Sequence, residues 1–286
     1  MTRDLPAVDV MRSWYAAEVH QPFSETREDN RAGALLIHGF TGSPADMRAL
    51  ADEIFAHGID AHVLRLPGMA SDIKRLNDMT GAIWRDAVNR QWRDISARYE
   101  RTVLVGYSLG GALAILAALE RRPDLLVLLA PLSRIADRRA VFLPIIKHVI
   151  RSVRPYGGLD WSDARVHNWF RAVRPTIATQ DPINQDVLSR EATYGTRMLD
   201  EMRRLLVVVR RRAPEVTVPT VIIQGDEDEI VLPRDTQRLA DRLGGPVRLH
   251  SVRGDHYLPL PACGWWPDVR AILRDELDRW TGGNDA

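Results

Sequence analysis

The chain has 286 residues, a formal net charge of +1 and a composition of 45% hydrophobic and 27% charged residues. This length accommodates one large α/β domain, or one domain with an insertion, and the balanced charge gives no reason to expect nucleic-acid binding. The single cysteine, Cys263, excludes an intrachain disulfide and a multi-cysteine metal site, and we interpret it as a small packed residue.

No stretch has the pattern of a secretion signal or a membrane span. Residues 1–14 mix Arg, Asp and Pro and lack the apolar centre of a signal peptide. The longest strongly apolar stretches, 111–119 and 125–132, are shorter than the roughly 18 residues that a span requires. We therefore expect a soluble, cytoplasmic protein without a transmembrane segment.

The predicted elements fall into two blocks of alternating strand and helix. Residues 1–32 are polar and are predicted to form an irregular lead-in that packs against the sheet. The first block comprises strand 34–38, helix 45–57, strand 61–66, helix 80–99, strand 101–105, helix 112–119 and strand 125–130. The second block comprises strand 220–224, helix 233–243, strand 247–252 and helix 267–280. This order implies a mostly parallel sheet with helices on both faces.

Local signals support two of these helices. Ser43 is predicted to cap the helix over 45–57, with Pro44 at its first position and Gly58 at its end. The helix over 80–99 is predicted to bury one stripe of apolar residues, which consists of Ile83, Trp84, Val88, Trp92 and Ile95.

The sequence Gly106-Tyr107-Ser108-Leu109-Gly110 lies between a buried strand and a helix. A serine in such a tight turn, with small residues two positions to either side, has the local form of a nucleophile elbow. The pattern alone is weak, because Gly and Ser are common and a plain Gly/Ser turn would read the same way. Its place between strand and helix favours Ser108 as a nucleophile.

A serine nucleophile needs a base, an orienting acid and an oxyanion hole. Asp228 follows strand 220–224 and His256 follows strand 247–252, so the order along the chain is nucleophile, acid, histidine. His256 would take the Ser108 proton, and Asp228 would hold the imidazole tautomer. The backbone N–H groups of Leu109 and Phe40 are the candidate oxyanion donors.

These motifs resemble the α/β-hydrolase superfamily and, within it, the bacterial carboxylesterase and monoacylglycerol lipase group. The resemblance rests on Leu36-Ile37-His38-Gly39-Phe40-Thr41-Gly42, Gly106–Gly111, Gly225–Val231 and His256-Tyr257-Leu258. It implies the α/β-hydrolase fold, a mostly parallel sheet flanked by helices with an inserted cap. One departure concerns the loop after the second strand, where Pro67-Gly68-Met69-Ala70 replaces the family's frequent Pro-Gly-His-Gly.

Other residues compete for some of these roles. Asp226 lies in the same loop as Asp228, and the family's Gly-x-x-Asp-x-x-Val spacing selects Asp228, which leaves Asp226 as a loop cap. His250 lies within a predicted strand, where a structural histidine is the ordinary interpretation. His38 resembles the histidine that supports the oxyanion loop in the family. No His, Asp or Glu pair lies at helical ligand spacing within a recognisable metal motif, so we expect no metal. The hydrolase hypothesis implies no cofactor.

Residues 131–217 interrupt the alternation and are predicted to form a mainly helical cap inserted into a core of residues 1–130 and 218–286. The segment has 16 basic and nine acidic residues, a formal charge of +7, whereas the rest of the chain has −6. This charge either faces an anionic surface such as lipid headgroups, or merely coats solvent-facing sides of short helices. Seven apolar residues could form a cap core or line an acyl pocket: Val141, Phe142, Leu143, Ile145, Ile146, Val149 and Ile150.

The leading hypothesis is a serine carboxylic-ester hydrolase that forms an acyl-enzyme. Its expected substrates are small-molecule esters or lipids with short to medium acyl chains, including monoacylglycerols, and transient contact with a lipid surface is compatible with it. Alternatives within the fold are a carbon–carbon bond hydrolase, which would need an acid-binding site in the cap, a lactonase, a perhydrolase or an acyltransferase. A non-catalytic ligand-binding member of the fold is the hypothesis from another class. The sequence does not fix the oligomeric state.

Overall fold

The computed structural model describes residues 6–282 and contains nine strands within that range. They are β1 (Phe23–Glu25), β2 (Ala32–Ile37), β3 (Asp60–Leu64), β4 (Arg101–Tyr107), β5 (Leu125–Leu129), β6 (Ser152–Val153), β7 (Tyr194–Gly195), β8 (Thr220–Gly225) and β9 (Val247–Val252). Seven of them form one sheet in the order β1-β3-β2-β4-β5-β8-β9. The β1–β3 pair is antiparallel and the other neighbouring pairs of this sheet are parallel. The short strands β6 and β7 form a separate antiparallel ribbon.

The helices connect these strands. They are α1 (Ala7–Ser13), α2 (Arg48–Ala56), α3 (Gly81–Arg98), α4 (Leu109–Glu120), α5 (Leu143–Ile146), α6 (Ala164–Val173), α7 (Pro182–Asp186), α8 (Thr196–Arg212), α9 (Pro233–Ala240) and α10 (Trp266–Gly282). No helix within residues 6–282 is long and apolar enough to cross a membrane.

The core of the sheet is apolar on both faces. Strand β5 is fully buried and reads Leu-Leu-Val-Leu-Leu, as expected for a central parallel strand that helices cover on both sides. Helix α4 is buried along nearly its whole length and lies between the sheet, α3 and α8. The sheet thereby holds β4 and its following turn rigidly in the centre of the molecule.

The predicted mostly parallel sheet is confirmed, and the helix and strand bounds of both blocks agree to within a few residues. Ser43 caps the segment before α2 by accepting a hydrogen bond from the Ala45 N–H at 3.3 Å, with Pro44 at the first position. Asp46 completes a capping box, because its carboxylate accepts from the Ser43 N–H at 3.2 Å. This segment begins as a 3₁₀ turn over Pro44–Met47 before it continues as α2.

Two sequence expectations are wrong. The lead-in is not irregular, since it contains α1 and the edge strand β1, and Val10, Trp14 and Tyr15 are buried; its residues 1–5 lie outside the described range. Ile83 does not share the buried stripe of α3, because 37% of its side chain remains exposed while Trp84 is fully buried. Both errors concern burial that depends on distant neighbours rather than on local periodicity.

The segment over 131–217 contains α5, α6, α7, α8 and the β6–β7 ribbon, together with 3₁₀ and π-helical turns. Helix α8 packs on α3 and α4, and its buried face joins the main core through Met198, Leu205 and Val209. Phe170 of α6 and Leu188 belong to a second, smaller cluster that also includes Trp14. The division into core and cap stays a prediction.

Left-handed backbone conformations collect at one edge of the sheet. Among residues 6–282, five non-glycine residues have positive φ. Asp29 precedes β2, whereas Thr41, Ala70, Ser108 and Ala130 lie in the segments that follow β2, β3, β4 and β5. The strained residues thus surround the carboxyl ends of the parallel strands, where ligands bind in open α/β sheets.

Candidate active site

The predicted nucleophile lies in a sharp turn between β4 and α4. Ser108 has φ +54° and ψ −118°, a left-handed conformation that is strained for a residue with a side chain. Gly110 permits close packing there, because a Cβ at this position would collide with the backbone carbonyls of Ile37 and His38. The turn therefore presents the Ser108 hydroxyl beside the end of β2.

A chain of hydrogen bonds joins the three predicted triad residues. With the proton on Nδ1, His256 donates to Asp228 Oδ2 at 2.8 Å and accepts from the Ser108 hydroxyl through Nε2 at 3.0 Å. All three side chains are buried. The structure thus brings together a hydroxyl, an imidazole and a carboxylate from the ends of three different strands, an arrangement that can transfer a proton from the serine to the histidine.

Backbone hydrogen bonds distinguish the two candidate acids. The Oδ1 atom of Asp228 accepts from the N–H groups of Ile230 and Val231 at 2.8 and 2.7 Å. Such donors stabilise a buried carboxylate that also faces a histidine. Asp226 instead accepts from the Gly254 N–H at 3.2 Å, so it ties the two loops together and lies apart from the histidine.

The competing histidine lies outside this site. His250 Nε2 contacts Glu276 Oε1 of α10 at 2.9 Å, and that carboxylate is fully buried. The pair fastens β9 to the last helix. Cys263 is buried, and burial raises the pKa of its thiol to about 11.

The two candidate oxyanion donors flank Ser108. A Cβ built on Gly39 would lie 3.1 Å from the Ser108 Cβ, so the loop after β2 packs directly against the nucleophile turn. Within residues 6–282, neither the Phe40 nor the Leu109 amide donates to another protein group. The Leu109 amide also lies at the N-terminus of α4, where the helix dipole favours negative charge. Both amides can therefore bind charge that develops beside the serine.

His38 holds the oxyanion loop in place. Its Nδ1–H donates to the Gly39 carbonyl at 2.9 Å, and its Nε2 accepts from the Leu66 N–H at 3.1 Å. The ring is fully buried, and burial lowers the pKa of His38 to about 4. A neutral imidazole with both nitrogens engaged connects the segments after β2 and β3 and has no nitrogen left for proton transfer.

The loop that departs from the family pattern begins beside this contact. Met69 is fully buried in the main core, and Ala70 has φ +52°. An apolar side chain therefore packs where the family frequently has histidine, and an alanine takes the left-handed conformation where it frequently has glycine. The contact between the Leu66 N–H and His38 is made beside this loop.

A cavity of about 430 Å³ lies next to Ser108 and His256. Tyr156, Trp169 and Arg174 from the segment over 131–217 form part of its wall. None of these three residues belongs to a motif that marks a site in the sequence. Tyr156 lies in an irregular segment, and the regular helix α6, which contains Trp169 and precedes Arg174, has a periodicity that does not indicate what its inner face contacts.

The seven apolar residues of 141–150 do not share one environment. Leu143 is buried and Ile146 is half-buried, whereas Val141, Phe142, Ile145, Val149 and Ile150 are exposed. These five neither join a core cluster nor line the cavity beside Ser108. For these five residues, neither a place in a cap core nor a place in the wall of an acyl pocket, the two environments predicted from the sequence, is correct.

The sheet order, the elbow serine and its partner loops define the class of the protein, a serine hydrolase with the α/β-hydrolase fold. A family model described as serine aminopeptidase, S33 matches residues 28–254, and the chain belongs to this family. The sequence is 26% identical over 206 residues to the thermostable monoacylglycerol lipase of Bacillus sp. (strain H-257), which covers 72% of this chain and 74% of that protein.

Solved structures share the fold. A structure of the metagenome-derived lipolytic enzymes LipS and LipT aligns over 93% of this chain and 98% of its own, with 20% identity and a TM-score of 0.73. The Paleococcus ferrophilus monoacylglycerol lipase aligns over 91% and 98%, with 15% identity and a TM-score of 0.66. The predicted α/β-hydrolase fold and the resemblance to the monoacylglycerol lipase and carboxylesterase group are confirmed.

The low pKa of His38 predicts a specific pH dependence of stability. Above its ordinary value of 6.5 the ring is neutral in both the folded and the unfolded chain, so its contribution is fully present. Between 6.5 and about 4 the unfolded chain binds a proton that the folded chain does not, so stability falls as the pH falls, by about 3 kcal/mol in total. Urea unfolding at pH 7 and pH 4.5 measures this loss.

Between pH 7 and pH 4.5, the free energy of unfolding of His38→Asn is expected to fall by about 2 kcal/mol less than that of wild type, because the variant has no imidazole at this position. Substitution of the exposed His148 by Asn is the matched control. An equal loss in wild type and His38→Asn would show that His38 does not titrate in this way.

Proposed function

We propose that the protein is a serine carboxylic-ester hydrolase that acts through an acyl-enzyme on short- to medium-chain esters, monoacylglycerols among them. The hydrogen-bonded series Ser108, His256 and Asp228 beside a cavity carries this proposal. The similarity to a monoacylglycerol lipase supports the choice of ester substrates.

The proposed reaction assigns a role to each group. His256 Nε2 takes the hydroxyl proton as Ser108 Oγ attacks the ester carbonyl, and Asp228 stabilises the resulting imidazolium. The amides of Phe40 and Leu109 bind the oxyanion, each contributing about 3 kcal/mol to the barrier reduction. His256 then returns the proton to the leaving alcohol, and a water molecule, activated by the same imidazole, hydrolyses the acyl-enzyme.

The cavity supports small or medium substrates. Its volume of about 430 Å³ is at the lower end of the range for small-molecule sites. Leu132, Ile135 and Met202 supply apolar wall, which suits an acyl chain. In this proposal the segment over 131–217 acts as a cap, because it contributes part of the wall across from Ser108.

Substitution of Ser108 tests the proposal directly. Wild type and Ser108→Ala are assayed with p-nitrophenyl esters from acetate to palmitate and with monoacylglycerols. We expect the variant to lose about 10⁶-fold in kcat, because the nucleophile is absent, and to remain folded. Circular dichroism and thermal unfolding check the fold.

Other substrates identify the alternatives. Wild-type turnover of a vinylogous diketone acid and of no ester would favour carbon–carbon hydrolysis. Cleavage of aminoacyl 4-nitroanilides alone would favour the amide chemistry in the family's description.

The acid assignment has a matched pair of variants. Asp228→Asn should lower kcat by about 10⁴-fold, because the amide donates toward Nδ1 and stabilises the wrong tautomer. Asp226→Asn keeps an acceptor for the Gly254 N–H and should leave kcat within about threefold of wild type. Steady-state kinetics with one p-nitrophenyl ester compare the two, and a larger loss in Asp226→Asn would reverse the assignment.

We also infer a transient contact between this enzyme and a lipid surface. The exposed residues Val141, Phe142, Ile145, Val149 and Ile150 form an apolar patch, of which Val149 is 81% exposed. Exposed Arg138, Arg151 and Arg154 flank this patch. The two nearby carboxylates, Asp137 and Asp200, are paired with Arg139 and Lys147. Apolar side chains bordered by cations match the interface of an anionic bilayer.

Vesicle co-sedimentation measures this contact. Wild type should bind phosphatidylglycerol-containing vesicles more than pure phosphatidylcholine, and less at high salt, because the arginines contribute electrostatically. The double variant Ile145→Glu/Val149→Glu should lose most of this binding while it retains activity on p-nitrophenyl acetate. Ile83→Glu, at an exposed apolar residue of α3, is the matched control. Equal binding by both variants would remove the patch from the proposal.

A further inference from the structure

Arg174 places a permanent positive charge in the wall of the cavity beside Ser108. The residue directly follows α6, and only 16% of its side chain is exposed. Its guanidinium lies near the oxyanion loop, since Nη2 donates to the Thr41 carbonyl at 3.4 Å and Thr41 follows Phe40. Of the residues that line this cavity, Arg174 is the only lysine or arginine. The family motifs assign it no role.

The bonds that Arg174 makes to the protein do not use the guanidinium fully. Nη1 donates to the Val173 carbonyl at 2.8 Å and contacts Asp46 Oδ1 at 3.5 Å. A guanidinium has five N–H groups, and charge-assisted bonds are ordinarily 2.7–2.9 Å long. Within residues 6–282, Nε has no acceptor and only one bond is of that length. Donors therefore remain for a ligand.

Asp46 neutralises this charge only in part. Its carboxylate already belongs to the capping box, where it accepts from the Ser43 N–H and lies at the N-terminus of the segment leading into α2. The positive end of that segment stabilises the carboxylate independently of Arg174. Asp46 also lines the cavity, but its contact to Arg174 is long, at 3.5 Å, so it does not occupy the remaining donors of the guanidinium.

In the wall of this cavity, neighbouring groups add hydrogen-bond donors but no second lysine or arginine, and the carboxylate of Asp137, which also lines it, is paired with Arg139. Burial raises the pKa of Tyr257 and lowers the pKa of His38, so at neutral pH the phenol keeps its proton and the imidazole carries no charge. Tyr257 and Tyr156 line the same cavity as Arg174. One guanidinium with phenol donors suits a monoanion, since a dianion would leave excess negative charge beside Asp46.

A second cavity of about 190 Å³ adjoins the first at this point. Thr41, Tyr156, Arg174 and Tyr194 line both cavities, so the guanidinium lies at their junction. Lys74 and Glu191, of opposite charge, line the second cavity alone. A substrate that extends from Ser108 toward the junction therefore meets the guanidinium along its way.

We propose that Arg174 binds a carboxylate of the substrate, so that this enzyme prefers esters that carry a carboxylate away from the scissile bond. The planar carboxylate can accept two parallel N–H bonds from the guanidinium. The inference rests on the proposed ester hydrolysis and names its substrate class.

Two matched pairs of esters test the preference. On the acyl side, 4-nitrophenyl hexanoate is compared with mono-4-nitrophenyl adipate, which has the same leaving group and six acyl carbons. On the alcohol side, phenyl hexanoate is compared with 4-(hexanoyloxy)benzoate. The pair in which the effect is found identifies the half of the substrate that carries the carboxylate.

In Arg174→Gln, kcat/KM for the charged ester of one pair should fall about 10- to 100-fold, mainly through KM, because a hydrogen-bonded ion contact is lost. The neutral ester should change less than about threefold, and Arg174→Lys should retain part of the preference. Arg171→Gln, at an exposed arginine of α6, is the control. Equal losses for charged and neutral esters in both pairs would show that Arg174 only anchors α6, and would overturn the proposal.

Binding without turnover separates this proposal from the proposed function. Calorimetry with Ser108→Ala should detect monomethyl adipate or 4-(hexanoyloxy)benzoate more strongly than methyl hexanoate, and Ser108→Ala/Arg174→Gln should lose the difference. Such binding in an enzyme that cleaves no ester would overturn the proposed function alone. Absence of the difference would overturn the carboxylate site. If Arg174→Gln does not fold, Asp46→Asn/Arg174→Gln replaces it, because that variant buries no unpaired carboxylate.

Discussion

The contact between the start of α4 and the end of β2 determines the geometry of the site. Gly110 lies against the carbonyls of Ile37 and His38 at a distance that excludes any side chain. This approach places the loop after β2 beside Ser108, and the Phe40 and Leu109 amides on either side of it donate to no other group within residues 6–282. His38 holds the same loop in place, because its ring bonds the Gly39 carbonyl through one nitrogen and the Leu66 N–H through the other. Preorganised donors of this kind need no rearrangement during a reaction.

The charged side chains of the site are buried, so their stability depends on hydrogen bonds within the protein or to a ligand. The enclosed carboxylate of Asp228 is stabilised by four donors, which are the N–H groups of Ile230 and Val231, the side-chain amide of Gln224 and the imidazole of His256. Arg174 presents the opposite case, an enclosed cation whose donors are only partly used by the protein. The bonds of Asp228 are thus completed within the protein, whereas Arg174 keeps the donors that our proposal assigns to a substrate carboxylate.

The sequence predicted the sheet well because apolar runs such as Leu125–Leu129 have few alternatives to a buried strand. It also predicted which side chains meet, since parallel strands end at one edge, although the catalytic roles of Ser108, Asp228 and His256 stay predictions. It failed for α1 and for Ile83, whose burial depends on distant packing partners. It could not find Trp169 of α6 or Arg174 at its end, because the periodicity of a helix does not indicate which cavity its side chains line. Ile145 and Val149 are exposed for a similar reason, because an apolar run in the sequence does not indicate whether other residues will cover it.

The left-handed residues after β2, β3, β4 and β5 confine backbone strain to one end of the strands. Strain at Thr41, Ala70, Ser108 and Ala130 weakens the fold at the edge that holds the site, and the buried strands below offset that weakness. Strain and stabilising burial thus occupy different parts of the same strands. Substitutions that relieve the strain at these four residues are expected to stabilise the fold and to disturb the site that they surround.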